Sequence, residues 1–149
     1  MVINTRLFGE ITVDEETKIT FPGGIIGFPD LQQFILIHDE DKKDGGIRWL
    51  QSVEEPTFAM PVVDPLMVCE DYNPSVDESF LEKIGEAKDE ELLILNTITV
   101  PSDITKMTVN LKAPFIINAT SKKACQVIIE NYDVKFPVYE ILKSRKESE

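Results

Sequence analysis

Eight consecutive residues, Phe21-Pro22-Gly23-Gly24-Ile25-Ile26-Gly27-Phe28, constrain this chain more than any other stretch. Three glycines, a proline and four large apolar side chains share one connection, which is too apolar for a solvated loop. Glycine supplies positive φ or close backbone approach, and proline fixes its own φ. Phe21, Ile25, Ile26 and Phe28 call for burial. The expectation is a folded-over loop that plugs a core with all four side chains. No GxGxxG and no following Lys-Ser/Thr pair turns it into a phosphate cradle, so it reads as a structural corner.

Around this corner the dominant pattern is β. Val2–Phe8 and Glu10–Val13 are short strand candidates, and Thr17–Phe21 alternates at period two. Phe34–His38 and Ile47–Gln51 flank Asp39–Gly46, whose aspartates and glycines mark a hairpin loop. Thr57–Val63 continues as strand, with Pro61 demoting it to an edge or a bulge. Glu91–Val100, Met107–Asn118 and Ala124–Glu130 complete the set. Thr120–Lys123 turns the last pair, and Pro114 suggests another bulge. About nine strands in one domain imply a mainly β fold, an antiparallel β-barrel-like domain or a sandwich.

One short amphipathic helix interrupts the strands. Ser75 with Glu78 three residues on is a capping box, Val76, Phe80, Leu81 and Ile84 form an apolar stripe, and Gly85 stands where a C-terminal cap belongs. The opposite side then displays Asp77, Glu78, Glu82 and Glu86. Farther on, Val134, Phe136, Val138, Tyr139, Ile141 and Leu142 approach strand alternation and suit an edge strand, a docking strip or core packing. A single domain over 1–142 is expected, with 143–149 a frayed tail that lacks an apolar anchor.

Charge narrows the function. Fifteen basic against twenty-seven acidic residues give a net charge of −12, which opposes direct binding to nucleic-acid phosphates and favours basic partners. Between residues 70 and 91, nine acidic side chains (Glu70, Asp71, Asp77, Glu78, Glu82, Glu86, Asp89, Glu90, Glu91) face only Lys83 and Lys88, a local net of −7. That surface is either a solvated face or one shaped to meet a basic partner. Met1–Arg6 lacks the basic and hydrophobic regions of a signal peptide and no apolar run nears 18 residues, so a cytoplasmic protein is expected. Cys69 and Cys125 are expected to be free thiols in that compartment.

Catalytic templates fail here. The single histidine, His38, ends an apolar strand beside Asp39, with no Gly-x-Ser-x-Gly to accompany it. Carboxylates are plentiful, but no spacing marks an acid/base pair. Asp39–Gly46 superficially resembles a calcium loop. A register starting at Asp39 puts Lys43 at the fifth position and Asp44 where glycine is needed, and one starting at Glu40 puts Lys42 at the third. No catalytic, metal or cofactor-binding residue is assigned.

The Phe21–Phe28 run, taken with a series of segments in order, carries a resemblance. Those segments are Leu50-Gln51-Ser52 with Pro56, Phe58 and Asp64-Pro65; Asp71-Tyr72; Asn110 to Asn118; and Gln126-Val127-Ile128 with Asn131. In this order they resemble the flagellar assembly factor FliW family over nearly the whole chain. The resemblance implies a β-barrel-like domain and a cofactor-free, cytoplasmic, non-enzymatic factor. It also implies a protein that binds flagellin and, alternatively, the RNA-binding translational repressor CsrA, relieving the block on flagellin translation. A monomer is expected. From charge clustering, Glu70, Asp71 and Tyr72 beside the helix, with Glu78 and Glu82 on its outer face, are the expected partner-facing residues. The competing reading is a small β-barrel hydrolase or metal-dependent enzyme using surface carboxylates and His38.

Overall fold

A computed structural model describes residues 2–37, 47–74, 78–85, 91–141 and 143, with the backbone alone for Glu78 and Phe80. His38, the Asp39–Gly46 loop, Ser75, Val76, Asp77, Glu86 and residues 144–149 of the expected tail lie outside them. Eleven strands are present among the described residues: β1 (Val2–Thr5), β2 (Gly9–Thr12), β3 (Ile19–Thr20), β4 (Gln33–Ile37), β5 (Arg48–Ser52), β6 (Ala59–Val63), β7 (Leu92–Thr99), β8 (Thr108–Val109), β9 (Phe115–Asn118), β10 (Lys123–Gln126) and β11 (Phe136–Pro137). The helix α1 spans Glu78–Ile84, and residues 139–141, expected to continue the alternation over 134–142, are helical too.

Seven strands close a barrel in the order β7-β6-β5-β4-β3-β10-β9, with β9 returning to β7. Six of the seven contacts are antiparallel and the seventh, β3 with β10, is parallel. An odd number of strands requires this: directions cannot alternate all the way round, so one neighbouring pair must run the same way. β8 and β11 extend the sheet beyond β7, and β1 and β2 form a separate hairpin. The barrel rather than the sandwich is thus the architecture, and β11 takes the terminal place in the sheet order.

The interior is filled by Ile19, Phe21, Ile25, Phe34, Leu50, Val62, Leu95, Phe115, Ile117 and Ala124. Strand alternation then points other side chains outward, where a second layer covers them. Ile35 meets Ile3, Val13 and Val53 under the β1–β2 hairpin. Ile116 meets Ile84 of α1 with Val127 and Ile129. Gly85, at φ +91°, ends α1 in the left-handed conformation expected of a C-terminal glycine. The last helical carbonyl, of Ile84, accepts from Asn118 Nδ2 at 3.1 Å and Ser121 Oγ at 2.6 Å. Asn118 Oδ1 in turn accepts from the Thr120 and Ser121 N–H groups, so one buried amide secures both the β9–β10 turn and the helix end.

Several expectations are corrected. Ile26 and Phe28 are 53% and 47% exposed, while Phe21 and Ile25 alone are buried. The cause is a tight reversal: Ile25 and Phe28 bridge each other, which leaves Ile26-Gly27 at the tip and aims Phe28 sideways against Phe58, ring centroids 4.9 Å apart. β6 is interior rather than an edge. Its Pro61 is tolerated because the Ser52 N–H donates to Phe58 O, and the resulting alternation turns the Pro61 nitrogen away from β5. On that side β6 pairs with β7 only through Val62 and Val63. The expected Met107–Asn118 strand is two strands, because Asn110 Oδ1 accepts from the Lys112 and Ala113 N–H groups and curls the chain between them. Thr17 belongs to a 3-10 turn, Glu15–Thr17, capped by Asp14.

Candidate partner-binding surface

The acidic stretch begins where β6 leaves the barrel. Asp64 caps a 3-10 turn, accepting from the Leu66 N–H at 2.9 Å, with Pro65 in the first position where a missing N–H costs nothing. The Val68 and Cys69 N–H groups both donate to Pro65 O, and the Tyr72 N–H donates to Cys69 O. These turns bring Glu70 and Asp71 to the surface, both exposed, and send Tyr72 inward, 6% exposed.

Tyr72 is held on all sides. Its hydroxyl donates to Leu111 O at 2.6 Å and accepts from Asn96 Nδ2 at 3.4 Å, and its ring stands edge-on to Tyr132 at 4.5 Å. The Tyr132 hydroxyl accepts from the Asn73 N–H at 3.0 Å. Tyr132 also packs against the Ile84 cluster beneath α1, so the Glu70–Asn73 segment and α1 flank the same apolar seam. Glu82 lies on the exposed side of α1, whereas the side chain of Glu78 falls outside the described residues. Of the five residues singled out by charge, Glu70, Asp71 and Glu82 present carboxylates to solvent and Tyr72 anchors them from below.

Burial pushes the Tyr72 hydroxyl above its ordinary value of 10.0, against a smaller lowering by the Asn96 hydrogen bond. An unfolded tyrosine ionises near its ordinary value while the folded one still keeps its proton, so this group erodes stability as pH rises. The Tyr72 contribution is fully present below the unfolded value and lost as pH climbs through the folded one. Urea denaturation midpoints should therefore fall between neutral pH and about pH 11, and part of that fall should be absent in Tyr72→Phe. At neutral pH the same variant should cost about 1–2 kcal/mol, because Leu111 O loses its donor. An identical pH profile in both proteins would remove Tyr72 from the alkaline transition.

Beside Tyr72 opens a cleft of about 410 Å³, lined by Asp64, Pro65, Leu66, Asn73, Pro74 and the β7 residues Leu92, Leu93 and Ile94. Leu66 is 52% exposed at its mouth. Sequence reasoning missed this cleft, although the Asp64-Pro65 pair is a helix-start signal that could have shown β6 turning away. No group of three or more His, Cys, Asp and Glu able to hold a metal ion occurs among the described residues. No disulfide joins Cys69 and Cys125, and burial raises the Cys125 thiol above its ordinary value. No helix among the described residues is long and apolar enough to cross a membrane.

These features define a small barrel whose distinctive surface is an acidic, cleft-bearing face. The chain belongs to the FliW family: the model described as FliW protein matches residues 2–139. It is 45% identical to the flagellar assembly factor FliW of Lachnoclostridium phytofermentans, with 100% of this chain and 97% of the relative covered. With the corresponding protein of Lachnospira eligens it shares 43% identity, over 98% of this chain and 99% of the relative. A crystal structure of the flagellar assembly factor FliW superposes with a TM-score of 0.82 at 27% identity, covering 92% of this chain and 94% of that one. The chain is accordingly a flagellar assembly factor of the FliW family.

Two polar residues that carried the resemblance, Gln51 and Gln126, sit in internal hydrogen bonds. Gln51 Nε2 reaches the carbonyls of Ser52, Pro56 and Phe58. Gln126 accepts from the Ile26 N–H at 2.8 Å and donates to Ala113 O. They hold the barrel and the glycine-rich corner together, while Glu70 and Asp71 face outward.

Proposed function

We propose that this protein is a cytoplasmic, cofactor-free partner switch. It binds flagellin, and when flagellin has been exported the freed factor binds a CsrA-type RNA-binding repressor and relieves its block on flagellin translation. Family membership supports the flagellar role. The observation that carries the finer reading is the exposed acidic strip, Glu70 and Asp71 together with Glu82 of α1, on a chain of net charge −12. A protein that binds RNA is basic where it binds, so an acidic antagonist is drawn toward it and adds a field that repels phosphates. Inhibition through a contact outside the RNA site obeys linkage, with RNA and antagonist weakening each other equally.

Titration calorimetry of the purified protein against flagellin and against a CsrA-type repressor, singly and in competition, tests the switch. Micromolar or tighter, mutually exclusive binding is expected, weaker for the repressor at high salt. Glu70→Lys combined with Glu82→Lys should lower repressor affinity about tenfold at low salt, two exposed charges contributing roughly 0.5–1 kcal/mol each. Its circular dichroism and melting temperature should stay those of the parent. Unchanged affinity would remove both carboxylates from the interface, and no complex with either protein would overturn the switch.

A further inference from the structure

The cleft is a gap in the barrel wall. The Ala119 N–H donates to Glu91 O at 2.9 Å, which sets the alternation along β7: Leu93 and Leu95 turn their backbone polar groups to β9, while Leu92, Ile94 and Asn96 turn theirs the other way. On that other edge Asn96 pairs with Val63, the last residue of β6. One residue later Asp64-Pro65 swings the chain into its 3-10 turn instead of continuing beside β7. The Ile94 N–H and carbonyl and the Leu92 carbonyl therefore face the cleft with no backbone partner among the described residues.

We propose that this gap takes an extended peptide segment of a partner protein as an added strand on β7, lying where β6 would have continued. Three observations converge on that occupant. The edge offers a donor and acceptor at strand spacing, which main-chain addition uses. The cleft floor is apolar, with Leu92 and Ile94 partly buried against the Ile84–Ile116 cluster, which suits an apolar guest residue opposite Ile94. Asp64 is the only carboxylate or base among the described residues of the lining, and Glu70 and Asp71 are exposed beyond it, so the guest carries lysine or arginine beside its apolar residue. This mode of binding rests on the β6–β7 seam and holds independently of the regulatory switch proposed above.

Amide hydrogen exchange by NMR on the full chain tests it, first alone and then with a blocked hexapeptide alternating lysine and valine. In the free protein the Ile94 amide should exchange at least about tenfold faster than Leu93 and Leu95, and the peptide should slow it by a similar factor. The same peptide N-methylated at alternate residues, or with glutamate for lysine, should give no such protection. An Ile94 amide already as slow as Leu95 would overturn the open edge. Protection that rises with protein concentration alone would put a second copy of the chain there instead. Absence of peptide binding, or equal binding of the N-methylated or glutamate peptide, would overturn strand addition by a basic segment.

Discussion

Gly24→Ala is expected to destabilise the fold severely. Gly24 has φ +80°, and a Cβ built on it would stand 2.4 Å from Pro29 O and 2.5 Å from Phe28 O. Both are main-chain atoms within the same reversal, fixed by the Phe28 N–H to Ile25 O and Leu31 N–H to Phe28 O bonds, so no side-chain rotation relieves the overlap. The left-handed conformation itself costs an alanine about 1–2 kcal/mol, and the backbone collision adds to it, giving a loss above roughly 4 kcal/mol. That is a large share of the roughly 5–15 kcal/mol available to a domain. Gly23 separates the two contributions. It has φ +87° with nothing within 4 Å of its Cβ position, so Gly23→Ala should lose only about 1–2 kcal/mol. Urea denaturation of both variants checks the pair, and equal losses would show that conformation rather than close approach governs Gly24.

This corner also marks how far the sequence could be read. Its glycines forecast the positive φ values, and Phe21 and Ile25 are buried as their apolar character implies. That Ile26 and Phe28 stay exposed depends on which two residues form the tip, and that follows from the Ile25–Phe28 bridge and the side-chain oxygen of the distant Gln126. Strand positions were legible from alternation because barrel strands have one inward face. Where β4 is covered on both faces, by the barrel core and by the β1–β2 hairpin, alternation weakens into the continuous Phe34–Ile37 run. Exposed carboxylates such as Glu82 follow from helical periodicity. Tyr72 shows the opposite: next to Glu70 and Asp71 in sequence it points inward, because turns, unlike helices and strands, impose no period. The cleft was hidden for a further reason, since an unpaired edge is a relation between β6, β7 and β9 that no local pattern encodes.

Phe21→Ala should cost about 3–5 kcal/mol, the range for emptying an aromatic site in a packed core. Phe21 is 0% exposed and stands edge-on to Phe34 at 5.4 Å and to Phe115 at 5.5 Å, rings from β4 and β9 on different parts of the barrel wall. Its backbone is equally committed, with its N–H donating to Gln32 O and its carbonyl accepting from Gly24. The surrounding strands close on themselves and cannot move inward independently, so the cavity should persist rather than collapse. Phe28→Ala is the matched comparison: the same residue type in the same corner, 47% exposed and packed on one flank by Phe58, should lose no more than about 1 kcal/mol. Denaturation midpoints of the two variants read the difference directly. A Phe21→Ala loss near that of Phe28→Ala would mean that the corner rests on the barrel without filling it, and that the glycines, not the plug, are what the fold requires of this segment.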